Sequence, residues 1–408
     1  MKCRHCHTKL IHNFIDLGFA PPSNAYLTVE QLKQPELYFP LKVKVCDQCW
    51  LVQTEDYAQA DELFNADYAY FSSTSSGWLT HAANYSKAII KRLKLDRHSH
   101  VIEIASNDGY LLKNFVEADI PCLGIEPTAS TASAAEQIGI PVLREFFSET
   151  LGKQFAEMEK QADLIIGNNV FAHVPDINDF TRGLKAALKI DGTITLEFPH
   201  LMQLIEQVQF DTIYHEHFSY LSLYTVSHIF AAAGLRIWDV EILPTHGGSL
   251  RVFGCHSDDK RANSEAVNDM LDIEMQNELQ TLTPYQQFQK RADKVKNDLL
   301  TFLLEQKRRG KTVVAYGAAA KGNTLLNFAG VKPDLLPFVC DAATAKQGKY
   351  MPGSHIPILH PDSLSKFIPD YLLILPWNIA TEIKQQNDKL SKLGTKFVTA
   401  VPQVAIYD

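Results

Sequence analysis

Tyr214, His215, Glu216 and His217 place a phenol, a carboxyl and two imidazoles in consecutive positions of one segment. These are side chains that move protons near neutral pH. An imidazole titrates close to working pH, and a phenol can donate to an oxygen on which charge develops. If the segment is helical, Tyr214 and His217 share a face; if it is extended, His215 and His217 do.

A second set of side chains has metal chemistry. Cys3, Cys6, Cys46 and Cys49 form two C-x-x-C pairs in the first 49 residues. In a reducing compartment such pairs read as a structural zinc site, because four thiolates close the tetrahedral sphere and leave no open position for water. A dithiol redox pair or disulfides are the alternatives. The 39 residues between Cys6 and Cys46 exceed a finger spacing, so two knuckles must be joined by intervening strands. His5 and His7 are alternative ligands, with His5 expected to point outward. Cys122, Cys255 and Cys340 read as buried apolar residues.

A third set suits a nucleoside cofactor. Val101 to Ile104 is a β-branched strand carrying Glu103, followed by a small-residue turn, Ala105 to Gly109, and a helix start at Tyr110. G-x-G-x-x-G is absent, which disfavours NAD. A second strand ends in Glu126, 17 residues beyond Gly109, where an acid takes both hydroxyls of a ribose. A third ends in Asn168 and Asn169, ahead of a helix entered at Asp176 and expected over 180–189. Alternating strands and helices give a parallel, doubly wound α/β sheet with its ligand at the carboxyl ends of the strands.

These elements must be held by several domains. The chain has 408 residues, 46% of them apolar and 21% charged, which excludes disorder and fibrous repeats and predicts two or three domains. Net charge is −8, so there is no global positive field for nucleic acid or anionic lipid. No apolar run approaches the roughly 20 residues that span a bilayer, and the first residues lack an apolar signal core. The expectation is a cytoplasmic monomer with a small-molecule substrate.

The boundaries expected are 1–74 for a compact, non-catalytic zinc-binding cap, 75–255 for a Rossmann-like core, and 256–408 for a second Rossmann-like unit. Tyr68, Tyr70 and Phe71 fall in an aromatic linker, as a lid or as packing between domains. In the third unit a long amphipathic helix runs from Thr283 to Lys307 and is ended by Gly310, with the cations of KRRGK as ordinary capping. The turn from Gly317 to Asn323 after the next strand offers backbone donors and Lys321 to an anion at a helix N-terminus. His246, Gly247 and Gly248 open another strand, on which Arg251 reads as a solvent contact at the sheet edge.

An acid in the first strand, a small-residue turn and an acid ending the second strand resemble the class I S-adenosylmethionine-dependent methyltransferases. FDTIYHEHFSYLSL, the paired C-x-x-C, NNVFAHVPD and HGGSLRVF together resemble the zinc-containing sugar C-methyltransferases, which act on nucleotide-linked 4-keto-deoxyhexoses. That resemblance covers nearly the whole chain. It implies methyl transfer from S-adenosylmethionine to C3 of a dTDP-linked 4-keto sugar, with His217 as general base and Tyr214 and Glu216 completing the site. It also carries His173 and Tyr68 into the active site.

Cofactor contacts are expected from Glu103, Ala105, Ser106, Asn107, Asp108, Gly109, Tyr110, Glu126, Pro127, Asn168 and Asn169, with Asn107 or Asp108 capping the following helix. Many family members carry glycine where Ala105 stands. Substrate contacts are expected from His246, Gly317, Lys321 and Asn323. A sugar-nucleotide oxidoreductase and a non-catalytic zinc-knuckle scaffold are the competing readings. A nucleic-acid methyltransferase would share the core, but no basic stripe with interleaved aromatics is present.

Overall fold

A computed structural model describes residues 1–55 and 71–407, and its strands form three sheets. Tyr68 and Tyr70 lie outside the described residues.

The first sheet is antiparallel: β1 (His12–Ala20), β2 (Phe39–Val45), β3 (Val52–Thr54) and, at its far edge, β9 (Ser219–Tyr220). β2 alternates buried Leu41, Val43 and Val45 with more exposed neighbours, the period of a sheet with one face on a core. β9 comes from far along the chain and begins two residues after His217. It pairs with β3 in the register Val52↔Tyr220 and Gln53↔Ser219. The cysteine-bearing segment is therefore joined to the acid–base motif, because the strand after its second knuckle pairs with the strand that follows that motif.

The second sheet has the order β10-β11-β8-β7-β4-β5-β6, with β4 (Val101–Ile104), β5 (Cys122–Ile125), β6 (Val142–Leu143), β7 (Ala162–Asn168), β8 (Leu188–Pro199), β10 (Leu235–Leu243) and β11 (Ser249–His256). β4 to β8 are parallel, whereas β10 and β11 add an antiparallel pair. The chain runs outward from β4 to β6, then returns to β7 on the other side of β4. The strand order thus reverses between β4 and β7, and their carboxyl ends open a crevice there. The helix before β8 spans Ile177–Ala187, three residues earlier than the hydrophobic pattern suggests, because the Asp176 side chain accepts from the Asp179 N–H and starts it.

β11 lies between β10 and β8, so Arg251 is not at an edge. It is 5% exposed and pairs with Glu197 of β8 at 2.6 Å, while Glu197 also meets His81 at 2.9 Å. The expected solvent contact is instead a buried ion pair, formed because neighbouring strands point both charges the same way.

The third sheet has the order β14-β13-β12-β15-β16-β17: β12 (Val313–Tyr316), β13 (Val339–Cys340), β14 (Ile358–Leu359), β15 (Tyr371–Ile374), β16 (Lys396–Thr399) and β17 (Ala405–Tyr407), all parallel except β17. The helix Thr283–Arg308 buries Tyr285, Phe288, Ala292, Val295, Leu299 and Phe302, the three- and four-residue steps of one face. Phe288 stacks on Phe14 of β1 at 4.4 Å, and the first and third sheets share one apolar core around this helix. Gly310, at φ 69°, ends it as expected. The cations nearby are occupied, Lys307 by Asp334 and Lys311 by Asp370. Among the described residues no helix is long and apolar enough to cross a membrane.

Candidate active site

The two cysteine knuckles are built alike. The N–H of His7 donates to the Cys3 carbonyl and the N–H of Trp50 to that of Cys46, and both residues are left-handed, at φ 62° and 59°. This turn points both sulfurs of each pair the same way. The four Sγ atoms lie within 4.8 Å of one another, with Cys3–Cys49 and Cys6–Cys46 each at 3.5 Å. A tetrahedron of thiolates about a zinc ion has edges of about 3.8 Å, so the set fits that metal. His5 is not needed as a ligand, since its Nδ1 meets Asn178 Oδ1 at 2.8 Å.

A cavity of about 820 Å³ opens at the crevice between β4 and β7 and reaches the other two sheets. Its cofactor-facing wall begins at the turn after β4, where Ala105, Asn107 and Gly109 have φ of 56°, 51° and 79°. A Cβ on Gly109 would sit 2.3 Å from Ile140 Cδ1, so glycine is required for packing as well as for its dihedral. Asn107 and Thr128 donate backbone N–H bonds to the two oxygens of Glu126, both at 2.9 Å, which fixes the carboxylate at the cavity wall.

Ala105, Asn107, Tyr110, Glu126, Pro127, Asn168 and Asn169 all face this cavity. Glu103, Ser106, Asp108 and Gly109 do not line it and build the cradle from beneath. Glu103 is buried in β4, and burial, with Glu126 and Asp108 nearby, pushes its carboxyl well above the usual range. Ser106 lies under Gly124, and the expected helix capping by Asn107 or Asp108 is replaced by another bond pair. Asn107 Oδ1 accepts from the Ser72 N–H at 2.9 Å and Asp108 Oδ2 from the Ser73 N–H at 3.0 Å, fastening the 71–75 segment across the turn.

Both side-chain polar atoms of Asn168, and Oδ1 of Asn169, are buried without a partner in the protein. Buried amides in that state call for a polar ligand. Asn169 Nδ2 donates to His246 Nε2 at 3.2 Å, and Trp78, which sequence reasoning did not find, packs on His246 at 5.3 Å and on Tyr110 at 6.0 Å. With Glu126 holding one end and these amides the other, the wall fits S-adenosylmethionine.

The opposite wall carries the acid–base motif. The N–H of His217 donates to the Tyr214 carbonyl at 3.0 Å, so the segment is a turn, and the two rings lie 4.0 Å apart. His217 Nδ1 meets the Thr212 carbonyl at 2.8 Å. A carbonyl only accepts, so Nδ1 carries the proton and Nε2 is the basic nitrogen. Burial, then the neighbouring His173, holds the His217 pKa well below the ordinary histidine value. His173 is fixed likewise by the Glu216 carbonyl at 2.7 Å and lies 4.6 Å from His217; burial pushes its pKa down to about 4. His215 turns away, toward Pro40 and Phe39 of β2.

The third domain closes the cavity with Ala319, Ala320, Lys321 and Lys346, from a helix start and a loop beside its sheet. Lys321 Nζ donates to Asn378 at 2.7 Å over the Trp377 ring, whose N–H is held by Asp211 at 2.7 Å. Lys346, absent from the sequence reading, donates to the Ala318 carbonyl at 2.8 Å. Ala319 precedes the helix Ala320–Ala329 without a side-chain cap. Gly317 and Asn323 do not line the cavity. Gly317 packs where a Cβ would be 2.4 Å from Pro376 Cδ, and Asn323 is fully buried with its amide on the Ser23 carbonyl at 2.7 Å.

A Rossmann-like core with this cradle, a four-cysteine cluster and a buried acid–base pocket defines a methyltransferase with an appended zinc-binding domain. Three family models agree in chain order: a zinc binding domain over residues 3–64, a methyltransferase domain over 78–240, and a C-methyltransferase C-terminal domain over 244–402. The chain is 33% identical to the C-methyltransferase NovU of Streptomyces niveus, over 98% of its own length and 96% of that protein. It belongs to the C-methyltransferase family and is an S-adenosylmethionine-dependent enzyme.

Solved structures with a partial likeness include the complex of the Haloferax volcanii Trm112 methyltransferase activator with a methyltransferase, 12% identical over 44% of this chain and 94% of that one, TM-score 0.36. Another is magnesium protoporphyrin IX methyltransferase of Synechocystis PCC 6803 with bound SAH, 13% identical over 44% and 84%, TM-score 0.35.

Proposed function

We propose that the enzyme methylates C3 of a nucleotide-linked, dTDP-type 4-keto-deoxyhexose, giving a branched-chain sugar, and that His217 is the general base. The observation that carries this reading is the fixed tautomer of His217: its Nδ1–H is held by Thr212, and its basic Nε2 belongs to a neutral ring in the cavity wall. S-adenosylmethionine, when bound, supplies an electrophilic methyl on a sulfonium.

A saturated sugar carbon has no electron pair to attack that methyl, so the sugar must carry a neighbouring ketone. His217 Nε2 removes the C3 proton, the C–H electrons move into the C3–C4 bond, and the carbonyl pair moves onto O4. Tyr214 lines the same space, and its phenol steadies the charge on that oxygen. The C3 carbon would take the methyl that the bound cofactor supplies while the O4 pair re-forms the C4 carbonyl, and the His217 imidazolium returns its proton to solvent. Lys321, Lys346 and the uncapped start of the helix Ala320–Ala329 suit the diphosphate, which supports a reading in which the third domain binds the nucleotide and the second the methyl donor.

His246 lines the same cavity and contacts the sugar side. Tyr68 joins the site in this reading. The four thiolates fit a reducing, cytoplasmic setting.

The test is incubation in D2O with a panel of dTDP-4-keto-6-deoxyhexoses, with and without S-adenosylmethionine. Deuterium entering at C3 and a product heavier by one methylene, both lost in His217→Asn, are expected. Tight binding of S-adenosylmethionine with neither exchange nor methylation across the panel overturns the substrate assignment.

A further inference from the structure

Between the two cysteine knuckles one described residue, Asn24, lines the cavity, and it sits against the acid–base motif. Its Nδ2 donates to Glu216 Oε1 at 3.1 Å. The other oxygen, Glu216 Oε2, is buried, has no protein partner, and belongs to a side chain that lines the cavity. One carboxylate oxygen is pinned and the other is left for a ligand. An amide donor favours the ionised carboxylate and fixes its plane.

The loop that delivers Asn24 is held on both sides. It leaves β1 at Ala20 and passes Pro21 and Pro22, whose fixed φ stiffens it. The Ser23 carbonyl accepts from Asn323, Tyr26 donates to the Ala318 carbonyl at 2.5 Å, and Leu27 pairs with Tyr350 in an antiparallel bridge. Thr324 ties the two partners together: its hydroxyl donates to the carbonyl of Ile213, three residues before Glu216, at 2.8 Å, and meets the Ser23 hydroxyl at 3.5 Å. One helix of the third domain thus holds the loop of Asn24 and the approach to Glu216 in register.

We propose that Asn24 is a positioning residue that aims the Glu216 carboxylate at a hydroxyl of the methyl acceptor, so that the zinc-binding domain supplies part of the active site. The identity of that acceptor rests on the sugar substrate proposed above. Around Glu216 the titratable groups are His173, Tyr214 and His217 beside it, Tyr220 of β9, and Lys321 and Lys346 across the cavity.

Two readouts test the positioning role. In the free enzyme, a 13C NMR titration of the Glu216 carboxyl should move to higher pH in Asn24→Ala, because a donor to the ionised form is lost; an unmoved titration overturns the proposal. With the 4-keto sugar nucleotide, Asn24→Ala should lower kcat/KM about tenfold with S-adenosylmethionine affinity kept within about twofold. In a Glu216→Ala background the same change should add almost nothing, and equal losses in both backgrounds overturn it. Asn24→Leu, close in volume, repeats both readouts should the alanine variant unfold. If the wild type turns over no 4-keto sugar nucleotide, the substrate reading fails, and the NMR titration alone decides the role of Asn24.

Discussion

The Thr54 hydroxyl donates to the backbone carbonyl of His217 at 3.2 Å, joining the strand that leaves the second cysteine knuckle to the candidate base. The Thr54 N–H donates to the Phe218 carbonyl, also at 3.2 Å, and Gln53 reaches back to Cys3 Sγ at 3.3 Å. A chain of short contacts therefore runs from the sulfur cluster to the turn of Tyr214 to His217, and its middle link is β3, a strand of three residues. Thr54→Val keeps the shape and removes the hydroxyl donor. We expect a loss of about 1 kcal/mol in unfolding free energy. Slower C3 exchange is expected with it, while S-adenosylmethionine affinity, read by calorimetry, stays unchanged. Wild-type exchange in that variant would show that β9 holds the turn without Thr54.

Removing the metal should act through the same chain. Structural zinc sites contribute on the order of 10 kcal/mol to the folds they hold. Cys46→Ser, or a strong chelator, is expected to release about one zinc per chain, lower the melting temperature and abolish exchange together. The release is measured by metal analysis. A variant that kept its fold and its ligand binding yet lost turnover would assign the zinc a chemical role instead.

The acid behaviour of His217 follows from its burial. Its folded pKa lies below the unfolded value of about 6.5, so as pH falls below 6.5 the unfolded chain takes up the proton first. The stability it contributes is complete above about pH 6.5 and declines toward its folded pKa. Subtracting His217→Asn removes the opposing contributions of Asp211 and Glu216, whose carboxyls burial pushes up. The difference in unfolding free energy should shrink on acidification by at most about 1.4 kcal/mol per pH unit. The same neutral ring predicts that the acid limb of C3 exchange lies below pH 6.5. A difference that stays constant between pH 7 and 5 would mean that His217 is solvated and ordinary.

What was legible in the sequence was what short segments decide. Paired C-x-x-C units, the strand–turn–helix around Ala105 to Gly109 and the helix ended by Gly310 each carry their own geometry. The cavity-facing positions of Glu126 and Asn168 follow from strand ends, and those of His173 and His217 from the two motifs that carry the family resemblance. What stayed hidden depends on which segments become neighbours. Alternation along β11 does not reveal that strands flank it on both sides, so Arg251 looked like a solvent contact when it is the buried partner of Glu197. Asn24 and Lys346 reach the cavity from loops with no chemical signature, each placed by the helix Ala320–Ala329 or the turn before it. Gly317 and Asn323 read as ligand contacts because their segment has the composition of an anion loop, yet Gly317 packs on Pro376 and Asn323 turns its amide N–H to the Ser23 carbonyl, away from the cavity.

Gly247 sets how closely the second and third domains approach. It has φ 89°, and a Cβ there would lie 2.4 Å from the Trp377 ring and 2.9 Å from Gln209 Nε2. Trp377 is the residue on which Lys321 rests and whose N–H Asp211 holds, so pushing the indole away moves the cationic wall of the cavity. The cradle of Ala105 to Gly109 and Glu126 is held by backbone bonds of its own and should keep its shape. Gly247→Ala is therefore expected to weaken dTDP-sugar binding about tenfold and to leave S-adenosylmethionine binding within about twofold, both measured by calorimetry. The left-handed backbone adds roughly 1 kcal/mol of destabilisation, visible as a lower melting temperature. Equal weakening of both ligands would place the nucleotide elsewhere than against the third domain.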